Sequence, residues 1–242
     1  MVVFHLYWMR NGLRKVKNIL AVNLKLDTLY GRKSFSQEGE DLILQKIFNN
    51  KGEGFYVDVG AHHPFRYSNS YLLYKKGWSG INIDAAPESM NSFNKVRPRD
   101  INLETGVSDK TQTLSYYVFK DSALNTFSKP SATAVINSKQ SSIEKIIKVK
   151  TKPLKEILSK HLPYGEAINL LNVDTEGYDL KVLKSNDWKR YFPVVIVVEI
   201  GFTKDMNEAL NTPISKFLLK KGYILFAKTV NSALFIHQNT KV

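Results

Sequence analysis

The chain has 242 residues, no cysteine, and 35 Lys and Arg against 22 Asp and Glu, which gives a formal net charge of +13. Hydrophobic residues make up 43% of it, which is typical of a folded globular protein and excludes a disordered or fibrous chain. The lack of cysteine excludes a disulfide framework, cysteine-ligated zinc, an iron–sulfur cluster and thiol catalysis.

Residues 1–34 are predicted as a basic, amphipathic helical extension. Apolar side chains recur there at spacings of three and four, which is one helical stripe: Leu6, Met9, Leu13, Val16, Leu20 and Leu24. Such a helix packs on the protein or a partner, or lies at a membrane surface. No segment offers the ~20 apolar residues of a membrane span, and the opening lacks the features of a secretory signal. We therefore expect a cytoplasmic protein, with peripheral membrane contact through this helix as an open alternative.

Residues 35–242 are predicted as one domain in which apolar strands alternate with helices. The predicted strands cover 55–60, 80–84, 101–107, 168–173, 194–200, 223–227 and 233–237. The predicted helices follow Ser36 and cover 67–76, 87–95, 179–184 and 205–221. This order predicts an α/β fold with a mostly parallel sheet, helices on both faces and a C-terminal antiparallel hairpin.

A polar insertion is predicted at about 111–153. Residues 113–119 alternate as an exposed strand would, and 121–142 are rich in Ser, Thr, Asn and Lys. A basic run at 139–160 carries seven lysines against two glutamates. Such a run attracts nucleic acid, anionic glycans or acidic membranes, or forms a solvated face.

Ligands of such sheets bind outside the carboxyl ends of the strands. Asp58 and Gly60 end the first predicted strand and Asp84 ends the second, but the dinucleotide pattern G-x-G-x-x-G is absent. Asp84 is placed to accept the two hydroxyls of a ribose. Two acids and a glycine turn without a phosphate loop fit S-adenosylmethionine better than NAD. The alternative is that both acids cap helices.

Five sequence blocks give a more specific indication of the protein family. They are Phe35–Asp41 (FSQEGED), Phe55–Pro64 (FYVDVGAHHP), Gly77–Ala85 (GWSGINIDA), Ala123–Phe127 (ALNTF) and Leu171–Gly177 (LNVDTEG). Taken together and in this order, they resemble the FkbM-type S-adenosylmethionine-dependent methyltransferases. The resemblance implies a Rossmann-like class I methyltransferase sheet and methyl transfer to hydroxyls of sugars, glycolipids or small natural products. The resemblance does not extend to the first 34 residues.

The resemblance also implies which residues hold the cofactor. The predicted cofactor-binding residues are Gln37, Asp58, Gly60, Ala61 and Asp84, with Ser108 and Asp109 near the adenine. Pro64 stands where a glycine often closes the first loop of methyltransferases.

A sugar hydroxyl becomes a good nucleophile only when a base removes its proton or a divalent metal lowers its pKa. The candidates for the base are His62, His63 and Asp174, although each histidine is also explained as an ordinary loop residue. Asp174 and Glu199 are alternatively oxygen ligands of Mg²⁺ or Mn²⁺. Asn125, Glu176 and Glu199 are predicted to contact the acceptor, and for Glu176 we favour capping of helix 179–184 over catalysis.

The sequence thus predicts an O-methyltransferase that uses S-adenosylmethionine and acts on a hydroxyl of a sugar, polysaccharide or glycoconjugate. A nucleic-acid methyltransferase is a rival hypothesis, which the net charge suggests. It is disfavoured because no N-P-P-Y-like motif is present and the basic residues are not interleaved with aromatic ones. Two further hypotheses are a glycosyltransferase with a metal bound by Asp174 and Glu176, and a non-catalytic, membrane-associated scaffold.

Overall fold

A computed structural model describes residues 13, 16–49 and 51–240, which divide into one unit within residues 1–34 and a second unit from Phe35 onward. In the first unit, 16–23 are helical and a 3-10 turn spans Asp27–Leu29. Leu6 and Met9 of the predicted stripe lie outside the described residues, whereas Leu20 and Leu24 are exposed. Within the described residues, no helix is both long and apolar enough to cross a membrane. Membrane contact of this helix stays a prediction.

Two sheets organise the second unit. Its described strands are β1 (Phe55–Val59), β2 (Ser79–Asp84), β3 (Ile101–Glu104), β4 (Gly106–Val107), β5 (Gln112–Phe119), β6 (Ile143–Lys152), β7 (Ile168–Val173), β8 (Val195–Glu199), β9 (Tyr223–Lys228) and β10 (Ser232–His237). The main sheet has the order β3-β2-β1-β7-β8-β10-β9. Strands β3, β2, β1, β7 and β8 are parallel, and β10 is antiparallel to both β8 and β9. The predicted α/β fold class, with its C-terminal hairpin, is confirmed.

Helices cover both faces of the main sheet. The helices described in this unit are α1 (Glu40–Ile47), α2 (Tyr71–Lys75), α3 (Ser89–Val96), α4 (Lys129–Asn137), α5 (Leu154–His161), α6 (Asp179–Lys184), α7 (Met206–Asn211) and α8 (Pro213–Leu219). Buried Ile157, Val182 and Leu218 bring α5, α6 and α8 onto one face. Leu44 and Leu73 bring α1 and α2 onto the other. Each face of the sheet therefore has its own apolar core, as expected for near-continuous apolar strands.

The region predicted as a polar insertion forms a second sheet, ordered β4-β6-β5. The predicted strand 101–107 is wrong as one element, because its first part lies in the main sheet and β4 pairs with β6. The polar segment 121–142 contains α4, whose cap is Ser128 and whose first turn holds Pro130. The basic run becomes strand β6 and helix α5.

Two predicted helices are shorter than expected. Helix 67–76 begins only at Tyr71, where Ser68 accepts a hydrogen bond from the Tyr71 amide. Helix 205–221 is split into α7 and α8 at Thr212, which is extended and caps α8 through the Ser215 amide. Pro213 supplies no amide donor, so the chain can start a new helix there but cannot continue the old one.

The register of the parallel strands brings their last residues to one edge. Val59 of β1 pairs with Val173 of β7, and Val173 pairs with Val198 of β8. Gly60, Asp174 and Glu199 therefore follow side by side. Gly60 has a φ of 81°, and a Cβ added there would overlap the carbonyl oxygen of Asp174. The turn after β1 requires glycine for both reasons.

We predict that Gly60→Ala destabilises the protein by about 3 kcal/mol or more, since the strained φ and the steric overlap add. The matched control is Gly165→Ala, which also has a positive φ of 77° but has no heavy atom within 4 Å of the added Cβ. It should cost only about 1 kcal/mol. Urea unfolding of both variants measures the difference, and equal costs would contradict the overlap at Gly60.

Candidate active site

A pocket opens at the carboxyl ends of β1 and β2. Gly60, His62 and Asp84 line one side of it, and Thr105 and Val107 continue the lining beyond β3. The insertion supplies the opposite wall through Tyr116, Asn125 and Phe127. This is the position at which open α/β sheets bind nucleotide-like ligands, and we name it the cofactor pocket.

Asp84 presents a fixed carboxylate to the cofactor pocket. Its two oxygens accept hydrogen bonds from the His62 amide and the Ala86 amide, each at 2.8 Å. The side chain is 8% exposed, and burial raises its pKa above the usual value. Two backbone hydrogen bonds therefore fix the orientation of a carboxylate in the wall of the pocket.

Asp58 lies beneath the turn rather than in the wall of the pocket. Its carboxylate is 2% exposed and accepts hydrogen bonds from Ser70 Oγ at 2.5 Å and Asn172 Nδ2 at 2.8 Å. Ala61 packs on Met90 and Phe93 next to the same turn. Asp58 thus connects β1 to β7 and to the loop before α2, and its direct contact with a cofactor stays a prediction.

Three other predicted cofactor residues lie outside the pocket lining. Gln37 lines a neighbouring cleft. Ser108 is fully buried and donates a hydrogen bond to Asp109, which is exposed. The residues that do line the pocket near them are Thr105 and Val107. Adenine contact by Ser108 and Asp109 therefore stays a prediction without support from the geometry.

The two predicted histidine bases differ in their surroundings. His62 lines the cofactor pocket, and its buried Nε2 has no hydrogen-bond partner among the described residues. Burial, and then the positive charges near it, lower the pKa of His62 to about 4, so the ring is neutral at neutral pH. His63 instead accepts hydrogen bonds from the Phe65 and Arg66 amides through Nδ1, each at 3.1 Å. This arrangement makes His63 a turn-stabilising residue.

Three carboxylates meet where the cofactor pocket ends. Asp174, Glu176 and Glu199 each offer an oxygen, and these oxygens lie within 4.8 Å of one another. Burial and then repulsion by neighbouring acids raise the pKa of Asp174 well above its usual value, that of Glu176 to about 8 and that of Glu199 to about 7. We name these residues the carboxylate cluster. Without a bound cation it retains protons at neutral pH.

The prediction that Glu176 caps the helix after β7 is wrong. Asp179 instead binds the free backbone amides of this turn. Its carboxylate accepts hydrogen bonds from the Thr175 amide at 2.8 Å and the Gly177 amide at 3.0 Å. Glu176 has a left-handed φ of 52°, and its carbonyl accepts a hydrogen bond from Thr126 of the insertion. The Glu176 side chain is therefore free to belong to the carboxylate cluster.

Two clefts adjoin the cofactor pocket at the cluster. The first, of about 260 Å³, we name the polar cleft; besides the cluster its lining includes Gln37, Tyr67, Asn69, Gln140 and Asn231. The second, of about 470 Å³, lies beside α8 and includes Glu176 and Glu199. Glu176 lines the cofactor pocket and both clefts. A cofactor and an acceptor can therefore meet at the cluster.

Asn125, a predicted acceptor contact, has its side chain in the lining of the cofactor pocket. Its Oδ1 accepts a hydrogen bond from the Phe119 amide at 2.8 Å. Tyr116 of β5, which the sequence interpretation missed, lies in the same wall and is 5% exposed. The alternation along β5 was the signal available, since it marks Tyr116 as an inward-facing position.

We predict that His62 makes the cofactor-free protein less stable as the pH falls. Its pKa is about 4 in the folded chain and ~6.5 in an unfolded one, so between these values only the unfolded state binds the proton. Up to about 3 kcal/mol is lost as the pH falls through this window.

The variant His62→Asn, which tolerates a left-handed φ, should remove this part of the pH dependence in urea unfolding. His63→Asn is the matched control and should retain most of it. Parallel stability curves for the wild type and His62→Asn would contradict a buried, neutral His62.

Comparison of the sequence with protein families gives a family match over most of the chain. The profile of the Methyltransferase FkbM domain matches residues 58–225. No curated protein matches the chain. Among solved structures, a "putative RNA methyltransferase" from Pyrococcus horikoshii is 10% identical, with a TM-score of 0.41 over 82% of this chain and 83% of that chain. From the match over residues 58–225, the chain belongs to the FkbM methyltransferase family.

Proposed function

We propose that the protein transfers the methyl group of S-adenosylmethionine to a hydroxyl of a sugar, polysaccharide or glycoconjugate. Membership in a methyltransferase family supports methyl transfer. The lining of the polar cleft carries the finer assignment. Beside the carboxylate cluster it offers neutral amide and hydroxyl groups from Gln37, Tyr67, Asn69, Gln140 and Asn231, which both donate and accept hydrogen bonds. Such a lining fits a neutral, hydroxyl-rich acceptor.

In this proposal the cofactor lies in the pocket at the ends of β1 and β2. Asp84 accepts the ribose hydroxyls, and the glycine turn at Gly60 allows the backbone to approach the ligand closely. The cofactor sulfur then lies towards Asp174, which lines both the cofactor pocket and the polar cleft. The methyl group would point from one space into the other.

The reaction needs an acceptor oxygen in line with the methyl group, and positioning supplies much of its rate. The oxygen forms a bond to the methyl carbon while the carbon–sulfur bond breaks, and its electron pair stays on sulfur to give S-adenosylhomocysteine. Without a metal ion, the hydroxyl proton would pass to an ionised carboxylate of the cluster, in which Asp174 is the base predicted from the sequence.

The charge of the polar cleft disfavours a nucleic-acid acceptor. Its charged lining residues are the cluster, Glu38 and Glu40, and no lysine or arginine belongs to the described lining. Phosphate groups would be repelled there. The lysines of β6 and α5, which raise the net charge, lie outside this lining. A cleft of about 260 Å³ is also at the small end for ligand sites, which typically run ~300–1,000 Å³.

The ribose assignment predicts that Asp84→Asn weakens binding of S-adenosylhomocysteine at least tenfold, ~1.4 kcal/mol. Asparagine keeps an oxygen for one of the two backbone amides, and loses the second acceptor and the charge that binds hydroxyls. The matched control is Glu144→Gln, an exposed acid of β6 outside the pocket lining, which should bind within about threefold of wild type. Calorimetry measures both, and unchanged affinity in a folded Asp84→Asn protein would refute the assignment.

The acceptor assignment is tested with isotope-labelled S-adenosylmethionine and a panel of neutral glycans, glycolipids and RNA. We expect label on a glycan hydroxyl. Asp174→Asn should slow turnover by ~10²–10⁴, the usual contribution of a base, while cofactor affinity stays near normal. Label on RNA alone would transfer the assignment to a nucleic-acid methyltransferase, and no loss of turnover in Asp174→Asn would exclude it as the base.

A further inference from the structure

The carboxylate cluster differs from the buried acids elsewhere in having no donors. Within the described residues, buried acids accept hydrogen bonds from named partners: Glu40, Asp41, Asp58, Asp84 and Asp179. No described amide, hydroxyl or cationic group donates to the carboxylates of Asp174, Glu176 or Glu199. Among the described residues, the ion pair between Arg66 and Asp121 is exposed and involves none of these three acids.

The three cluster residues are half-buried and their oxygens lie within 4.8 Å of one another, so their ionised carboxylates repel one another and favour a bound cation. The cofactor would supply one sulfonium facing Asp174, which is too little positive charge for three acids. A second cation, from outside the chain, would compensate the rest.

Asn69 provides a second, independent observation. Asn69 lines the same polar cleft and is 7% exposed, yet its Oδ1 has no partner among the described residues. Its orientation is determined by its neighbours. Asp58 accepts from Asn172 Nδ2, so Asn172 Oδ1 is left to accept from Asn69 Nδ2 at 2.9 Å. The Asn69 oxygen is therefore an acceptor without a donor among the described residues, on a side chain that lines the same cleft as the cluster.

We propose that Asp174, Glu176 and Glu199, with Asn69 Oδ1, bind one divalent cation of the Mg²⁺ or Mn²⁺ type. All four ligands are oxygens, which such hard cations prefer. Opposite ligands lie ~4.2 Å apart around Mg²⁺ and adjacent ones ~3 Å, so the cluster oxygens, which lie within 4.8 Å of one another, would move closer together to bind one ion. The proposal extends to Glu176 and Asn69 the metal pair predicted from the sequence.

This inference rests on the proposed function and names how the acceptor is activated. The cation lies between the cofactor pocket and the polar cleft, where it binds the acceptor hydroxyl and lowers its pKa. The proton then leaves to solvent water, and the oxygen attacks the methyl carbon as before. The cluster acts as ligand rather than as base.

The test is Mn²⁺ binding to the full chain, followed by electron paramagnetic resonance with and without S-adenosylhomocysteine. We expect one saturable site per chain, displaced by Mg²⁺. Glu199→Gln, which does not touch the cofactor pocket, should weaken Mn²⁺ binding at least tenfold. The matched control is Glu38→Gln, an acid of the same cleft whose carboxylate already accepts from Asn231; it should stay within about threefold.

Absence of a saturable site, or equal weakening by Glu199→Gln and Glu38→Gln, would overturn the cation site. Glu176→Gln serves as a second ligand variant if Glu199→Gln does not fold. The cation site and the acceptor assignment can be refuted independently of each other. Methyl transfer that persists with a chelator would refute the cation and leave the O-methyltransferase assignment intact. Specific Mn²⁺ binding by a protein that methylates no glycan would refute the acceptor assignment alone.

Discussion

The buried carboxylate of Asp58 connects the parts of the molecule that form the site. From the middle of β1 it binds Asn172 on β7 and Ser70 in the loop before α2. Ser70 in turn accepts a hydrogen bond from the buried guanidinium of Arg97, which also donates to the carbonyl of Pro64. This network fixes the loop that separates the cofactor pocket from the polar cleft. Breaking a buried charged network by removing one partner typically costs about 3–5 kcal/mol, so loop geometry and stability depend on the same contacts.

The sheet and the position of the site could be predicted because they depend on strong local signals. Buried strands read as continuous apolar runs, and the residues that follow them necessarily meet at one edge of a parallel sheet. For this reason the sequence is sufficient to place Asp84, Asp174 and Glu199 at the site. In the sheet β7 lies beside β1, and β8 lies beside β7.

What could not be predicted depends on long-range pairing and on competition between similar residues. Strand β6 carries exposed lysines, so its composition resembles a solvated charge run, and only its partners β4 and β5 define it as a strand. Glu176 and Asp179 are both plausible caps by sequence, and only the turn geometry assigns that role to Asp179. The buried Arg97 carries no local signal, because its partners come from distant residues.

This basic protein carries an acidic cluster at its candidate site. No lysine lines the polar cleft among the described residues, and the carboxylate cluster lies where the cofactor pocket and the polar cleft meet. The central claim is that methyl transfer takes place at this junction. A crystal structure of the protein with S-adenosylhomocysteine tests it most directly. We expect the ribose on Asp84 and the sulfur beside Asp174 and Glu176, open to the polar cleft. A sulfur atom directed away from the cluster would contradict the claim.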